Sequence, residues 1–260
     1  MKTTFLQTVL LSLTLFTGAV QGAIVYDNTA TFEGLFNDSR LETGDELTLA
    51  GTQRVITSVA FEYYGEFTTT GDETAKVRVY QMDGAPGENP FATPGTLLYE
   101  SQAFSIQSGY RSVTISDLAL WIPGDSFMFS VEFSGVAAEE SIGLLYYDPP
   151  TVGESDAYFW EKENGVWSAV ASENTGNNFA ARVIAVQALQ ITDVGNTENG
   201  VAVTVVGTTS GTSYRLEFKT DLSQAGWQQG PTVVASGESA TLVDTTGLGA
   251  TFRLYRVQQL

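Results

Sequence analysis

Phe127-Met128-Phe129-Ser130-Val131-Glu132-Phe133 puts Phe127, Phe129, Val131 and Phe133 on one face of an extended chain and Met128, Ser130 and Glu132 on the other. Side chains alternate across a strand, so a period of two with one apolar face predicts a half-buried strand of an antiparallel sheet. The pattern recurs on both sides of this run. Val55, Val59, Phe61 and Tyr63 oppose Ser58 and Glu62, and Ala75, Val77 and Val79 oppose Lys76 and Arg78. Shorter runs at 24–26, 97–99, 111–115, 142–147, 158–161 and 179–186 read the same way. The one helical spacing after the N-terminal segment is Phe32, Leu35 and Phe36, enough for a turn or two. Many short strands broken by Gly and Pro predict an all-β chain, here a jelly-roll-like β-sandwich.

The composition changes near Ala188. Residues 23–188 hold 24 acidic and 7 basic residues, a net of −17, whereas 189–260 hold 6 and 4, a net of −2. The second stretch has its own strand set at 189–194, 201–206, 214–219, 232–235, 240–243 and 252–257. In it Tyr214, Leu216 and Phe218 face inward and Arg215, Glu217 and Lys219 outward. A small fibronectin-type-III-like sandwich is expected over 189–260. At the other end, Lys2, the apolar run 5–16 and the small-residue stretch 17–22 form an export signal expected to be cleaved after Gly22 or Ala23. Twelve residues that include Gln7 and two threonines are short for a spanning helix, which needs about 20. The expectation is a secreted or cell-surface bacterial protein with no membrane span in the mature chain.

The chain has 260 residues, a net charge of −18, no histidine and no cysteine. That excludes a Ser-His-Asp triad, a Cys-His nucleophile, the usual zinc ligand set and a thiolate-held iron–sulfur cluster. The acidic balance argues against nucleic acid, which needs clustered Lys and Arg. No glycine-rich phosphate loop follows a strand and opens a helix.

Two groups of residues carry a resemblance. Tyr214-Arg215-Leu216-Glu217-Phe218-Lys219, Asp221-Leu222, Trp227, Val243-Asp244 and Phe252-Arg253-Leu254-Tyr255-Arg256-Val257 resemble a small C-terminal β-sandwich module of exported Verrucomicrobia and Planctomycetes proteins. Val79-Tyr80, Pro94-Gly95-Thr96-Leu97-Leu98-Tyr99 and Leu144-Leu145-Tyr146-Tyr147-Asp148-Pro149-Pro150 are similar to the sandwich regions of the same proteins. Many of those end in a sorting tag. This chain has no Pro-Glu-Pro motif and no terminal apolar helix with basic residues. The resemblance implies fold and export and says little of activity.

Four stretches are candidate sites. Residues 83–95 hold three of the seven prolines and read as a stiff connecting loop. Asp148, Glu154 and Asp156 lie in one loop and are candidate ligands for structural calcium, which takes several carboxylate and carbonyl oxygens. The spacing is not that of an EF-hand, and a solvated acidic loop is the plainer reading. Asn164-Gly165 predicts a two-residue hairpin turn pairing Glu163 with Val166 and Trp160 with Ala169. Tyr158, Trp160, Lys162, Trp167 and Ala169 then share a face. It is expected to be the core face, because the other would bury Glu161 and Glu163. Its competing role is a sugar-stacking platform. Tyr146 and Tyr147 point to opposite faces, and one of them is a candidate sugar contact beside Asp148.

The functional expectation is a secreted, non-enzymatic binding module for glycan or cell-surface and matrix material, with calcium as the candidate cofactor. A purely structural surface or matrix protein is the alternative, and a carboxylate-based glycan hydrolase the third reading, since two carboxylates suffice for that chemistry. Unidentified edge strands leave the oligomeric state open.

Overall fold

The structure, a computed structural model, describes residues 22–86, 92–171, 178–250 and 252–260. The expected export signal, apart from Gly22, and the centre of the proline-rich 83–95 loop lie outside the described residues. The chain forms two compact units, 22–186 and 187–260.

Strands account for all the regular structure among the described residues. The first unit contains β1 (Ala23–Asn28), β2 (Phe32–Asp38), β3 (Glu42–Thr48), β4 (Val55–Glu66), β5 (Thr74–Tyr80), β6 (Leu97–Glu100), β7 (Phe104–Ser105), β8 (Gly109–Ile115), β9 (Leu120–Trp121), β10 (Ser126–Ser134), β11 (Ser141–Tyr147), β12 (Glu154–Ser155), β13 (Tyr158–Glu163), β14 (Val166–Ala171), β15 (Asn178–Phe179) and β16 (Ala181–Val186). They build two antiparallel sheets of a β-sandwich. One runs β1-β16-β4-β11-β15, with β2 on β11 and β8 and β9 on β4. The other runs β14-β13-β3-β10-β5-β6, with β12 on β3 and β7 on β5.

The alternating faces meet between these sheets. Phe127, Phe129 and Val131 of β10 are fully buried against Val59, Phe61 and Tyr63 of β4, and the Phe61 and Phe129 rings lie 5.6 Å apart. Each such side chain contributes roughly 1.5–3 kcal/mol by leaving water, which is what holds two sheets together without a disulfide. Tyr63 keeps its hydroxyl satisfied inside by donating to Gln107 O at 2.9 Å.

The second unit contains β17 (Gln190–Thr197), β18 (Gly200–Val206), β19 (Ser213–Lys219), β20 (Gln228–Val234), β21 (Ser239–Asp244) and β22 (Leu254–Gln259). Its two three-stranded sheets, β17-β18-β21 and β20-β19-β22, enclose Val203, Val205, Tyr214, Leu216 and Leu242. Its charges are tied down locally. Asp244, 2% exposed, accepts from Arg253 at 2.7 Å and Tyr255 at 3.0 Å, and Glu217 pairs with Arg215 and Arg256.

Two local expectations are corrected. Phe32, Leu35 and Phe36 do not form a helical turn but lie in strand β2, paired with β11. Gly34 at φ +78° puts an irregularity in that strand, so its apolar spacing departs from two. The Asn164–Gly165 hairpin has the expected register, with both turn residues at positive φ. Its faces are reversed, however. Phe159 and Val170 join the main core, whereas Trp160 is buried on the outer side of the sheet with Tyr80 and Met128. The inward carboxylates are not stranded: Glu163 is exposed at the turn, and Glu161 is half-buried and accepts from Asn37 at 3.2 Å.

Candidate functional site

Alternation on β4 sends Val59, Phe61 and Tyr63 into the core and therefore Glu62 and Tyr64 outward. Tyr64 pairs across strands with Tyr110 of β8, and their rings lie 4.7 Å apart. Tyr64 also meets Phe36 of β2 at 5.2 Å, Tyr110 meets Phe32 edge-on at 5.9 Å, and Phe32 meets Tyr147 of β11 at 5.4 Å. Four strands thus lay five rings in a continuous chain, Phe36–Tyr64–Tyr110–Phe32–Tyr147, on the outer face of the first sheet. Leu145 of β11, also outward-pointing, is 2% exposed on this face. The terrace itself is open: Tyr110 is 58% and Phe32 39% exposed.

Carboxylates sit within the terrace. Tyr147 donates to Glu62 at 2.8 Å and Tyr64 to Glu66 at 2.6 Å. Burial, aided by the bond to Glu62, pushes the Tyr147 phenol up to about 12. The bond to Glu66 raises that of Tyr64. Both phenols are therefore protonated donors at neutral pH, and each holds one carboxylate in place while leaving its remaining lone pairs for other donors.

The outer face of the second sheet carries a different feature, a groove of about 620 Å³ lined by Arg40, Glu42, Arg78, Tyr80, Glu132 and Lys162 among others. Glu42 lies at its floor, 7% exposed. It accepts from Tyr80 and Ser130 at 2.8 Å and pairs with Arg78 at 3.0 Å and Lys162 at 3.4 Å. Arg78 also holds Glu132 at 2.8 Å and Glu100 at 2.6 Å, keeping the Glu100 carboxyl below its usual range. Lys162 Nζ sits over the Tyr80 and Trp167 rings at 5.2 and 5.1 Å. These charges satisfy one another. The Glu42 and Glu132 carboxylates are bridged by Arg78, whose Nη1 contacts both.

The residues singled out from sequence are dispersed. Tyr146 and Tyr147 do face opposite ways. Tyr146 packs inward, stacked on Phe179 at 5.2 Å and 17°, and burial raises its phenol. Tyr147 belongs to the terrace. Asp148 accepts from Asn178 at 2.7 Å, Asp156 accepts from Tyr158 at 2.9 Å, and Glu154 is exposed on β12. No group of three or more Asp, Glu, His or Cys positioned to hold a metal occurs among the described residues, so Asp148, Glu154 and Asp156 are not gathered into one. Likewise no helix among the described residues is long and apolar enough to cross a membrane, a statement about helices only.

Sequence reasoning missed Phe32, Phe36, Tyr64 and Tyr110, and on the other sheet Glu42 and Arg78. Tyr64 was legible as an outward position of β4, and Tyr110 precedes an expected strand at 111–115. What no local pattern supplies is the cross-strand pairing that brings them together. No protein-family model, curated protein or solved structure matches the chain.

Proposed function

We propose that the protein is an exported, non-enzymatic module that binds glycan through the five-ring terrace on the first sheet. The observation that carries this reading is the exposed chain of rings with carboxylates fixed inside it. Aromatic faces pack on the apolar faces of sugar rings, and oriented carboxylates accept from sugar hydroxyls. Carboxylate-based hydrolysis is disfavoured at the groove, where Arg78 pairs with both Glu42 and Glu132 and ties up the two carboxylates.

The test is retention of the full chain on insoluble polysaccharides and bacterial envelopes, in calcium and again in chelator. Retention on at least one polymer is expected, weakened roughly tenfold by Tyr110→Ala or Phe32→Ala, each of which removes one exposed ring. Binding that survives both substitutions moves the site off the terrace. Absence of retention on every polymer makes a purely structural surface or matrix role the leading reading.

A further inference from the structure

Three buried side-chain oxygens among the described residues lack a hydrogen-bond partner: Asn28 Oδ1, Asp45 Oδ1 and Asn178 Oδ1. All three belong to side chains linked through a single dipeptide, Asn178–Phe179. Asn28 Nδ2 donates to Phe179 O at 3.2 Å and to Tyr147 O at 2.7 Å. Phe179 N donates to Asp45 Oδ2 at 3.3 Å. Asn178 Nδ2 donates to Asp148 Oδ1 at 2.7 Å. These bonds fix both amides: each nitrogen already faces an acceptor, so neither group can be turned over to satisfy its oxygen. Asn28 and Asp45 are wholly buried and Asn178 is 3% exposed.

With Asp45 ionised, the cluster therefore presents acceptors and no donors. An interior normally leaves few such groups unpaired, because each loses its water without replacement. No lysine or arginine bonds any of these three oxygens. Water brings hydrogens to such acceptors but no positive charge to balance a buried Asp45 carboxylate. A hard cation serves all three, and calcium takes this mixture of carboxylate, amide and backbone oxygens. Asp45 supplies the charge, with Asp148 one hydrogen bond away from Asn178. Burial otherwise pushes the Asp45 carboxyl well above its usual range. Asp45 lies on β3 of one sheet, whereas Asn28 and Asn178 lie on β1 and β15 of the other. We infer that Asn28, Asp45 and Asn178 form a structural calcium site between the two sheets of the first unit, separate from Glu154 and Asp156.

The experiment measures calcium content by atomic emission on the full chain, after loading with calcium and dialysis against metal-free buffer, together with thermal unfolding in calcium and in EGTA. Retention of about one ion per chain is expected, with a midpoint raised by roughly 5–10 °C when calcium exceeds its dissociation constant a hundredfold. Asp45→Asn is expected to abolish both effects while keeping the β-sheet circular dichroism. The double variant Glu154→Gln/Asp156→Asn is expected to retain them. No retained calcium with the same midpoint in both buffers overturns the site and leaves water as its occupant. Retention by Asp45→Asn, or loss in the double variant, also overturns it. Should Asp45→Asn fail to fold, the unsubstituted chain's calcium content and chelator shift decide alone. None of these readouts depends on glycan binding.

Discussion

Glu73 shows how a single carboxylate is held by the backbone around it. The residue is 2% exposed, and its carboxylate accepts from Thr70 N at 2.7 Å, Thr70 Oγ1 at 2.8 Å and Gly71 N at 3.0 Å. Those bonds, the Thr70 amide first, favour the charged form and lower its pKa to about 2. Because the folded value is depressed, the stabilisation is complete above the unfolded value of about 4.3 and fades as pH falls toward 2. Urea unfolding of the full chain and of Glu73→Gln should differ by a constant amount above about pH 5, with the gap closing toward pH 2. A gap independent of pH would mean that the loop values shape and not charge. Nothing in the sequence around Glu73 announces this role, since it depends on how residues 70–73 turn. Tyr146 and Tyr147, by contrast, were legible as a pair facing opposite ways, because adjacent strand residues must. Which of them reaches the terrace depended on where β2 and β8 lie.

At the scale of elements, β2 decides whether the terrace exists. It carries Phe32 and Phe36, and its backbone pairs with the sheet through β11. Gly143 of β11 makes that approach possible: a Cβ there would fall 1.5 Å from Asn37 O. The obstacle is backbone, so no rotamer change relieves it. Gly143→Ala is expected to lift β2 from β11, expose the 32–38 segment to protease, and weaken glycan retention at least as much as Phe32→Ala does. Unchanged proteolysis and retention would show that β2 is not held by this contact. The strands themselves were largely legible from period-two runs, and the β13–β14 register followed from Asn164–Gly165 alone. The hairpin's facing did not, because each face carries a large aromatic that is buried, Phe159 on one and Trp160 on the other. Phe159 enters the main core, and Trp160 finds a second cluster with Tyr80 and Met128. Alternation separates two faces but does not label them when each carries large aromatics.

Over the whole molecule, charge is distributed unevenly between the units. The chain divides between Val186 and Gln187, close to the composition shift at Ala188, and the acidic excess belongs to the first unit. Three of the seven basic residues of 23–188 line one groove, where Arg40, Arg78 and Lys162 face Glu42, Glu100 and Glu132. That concentration leaves the remaining surface of the unit acidic and mostly without nearby cations. Like charges on a compact body repel more than on an expanded chain, so the net charge opposes folding. Salt weakens this repulsion over a distance of about 30 Å at 0.01 M and about 8 Å at 0.15 M. It also weakens the paired charges of the groove, but Glu42 and Arg78 are close and shielded from solvent, and short buried pairs are screened least. The repulsive part should therefore respond more strongly. The thermal midpoint of the full chain is expected to rise between 10 and 300 mM KCl at constant pH, with potassium chosen so that no divalent ion is introduced. A midpoint that falls with salt would mean that the groove's ion pairs outweigh the self-repulsion of the surface, and that the acidic excess is already neutralised by tightly held counterions.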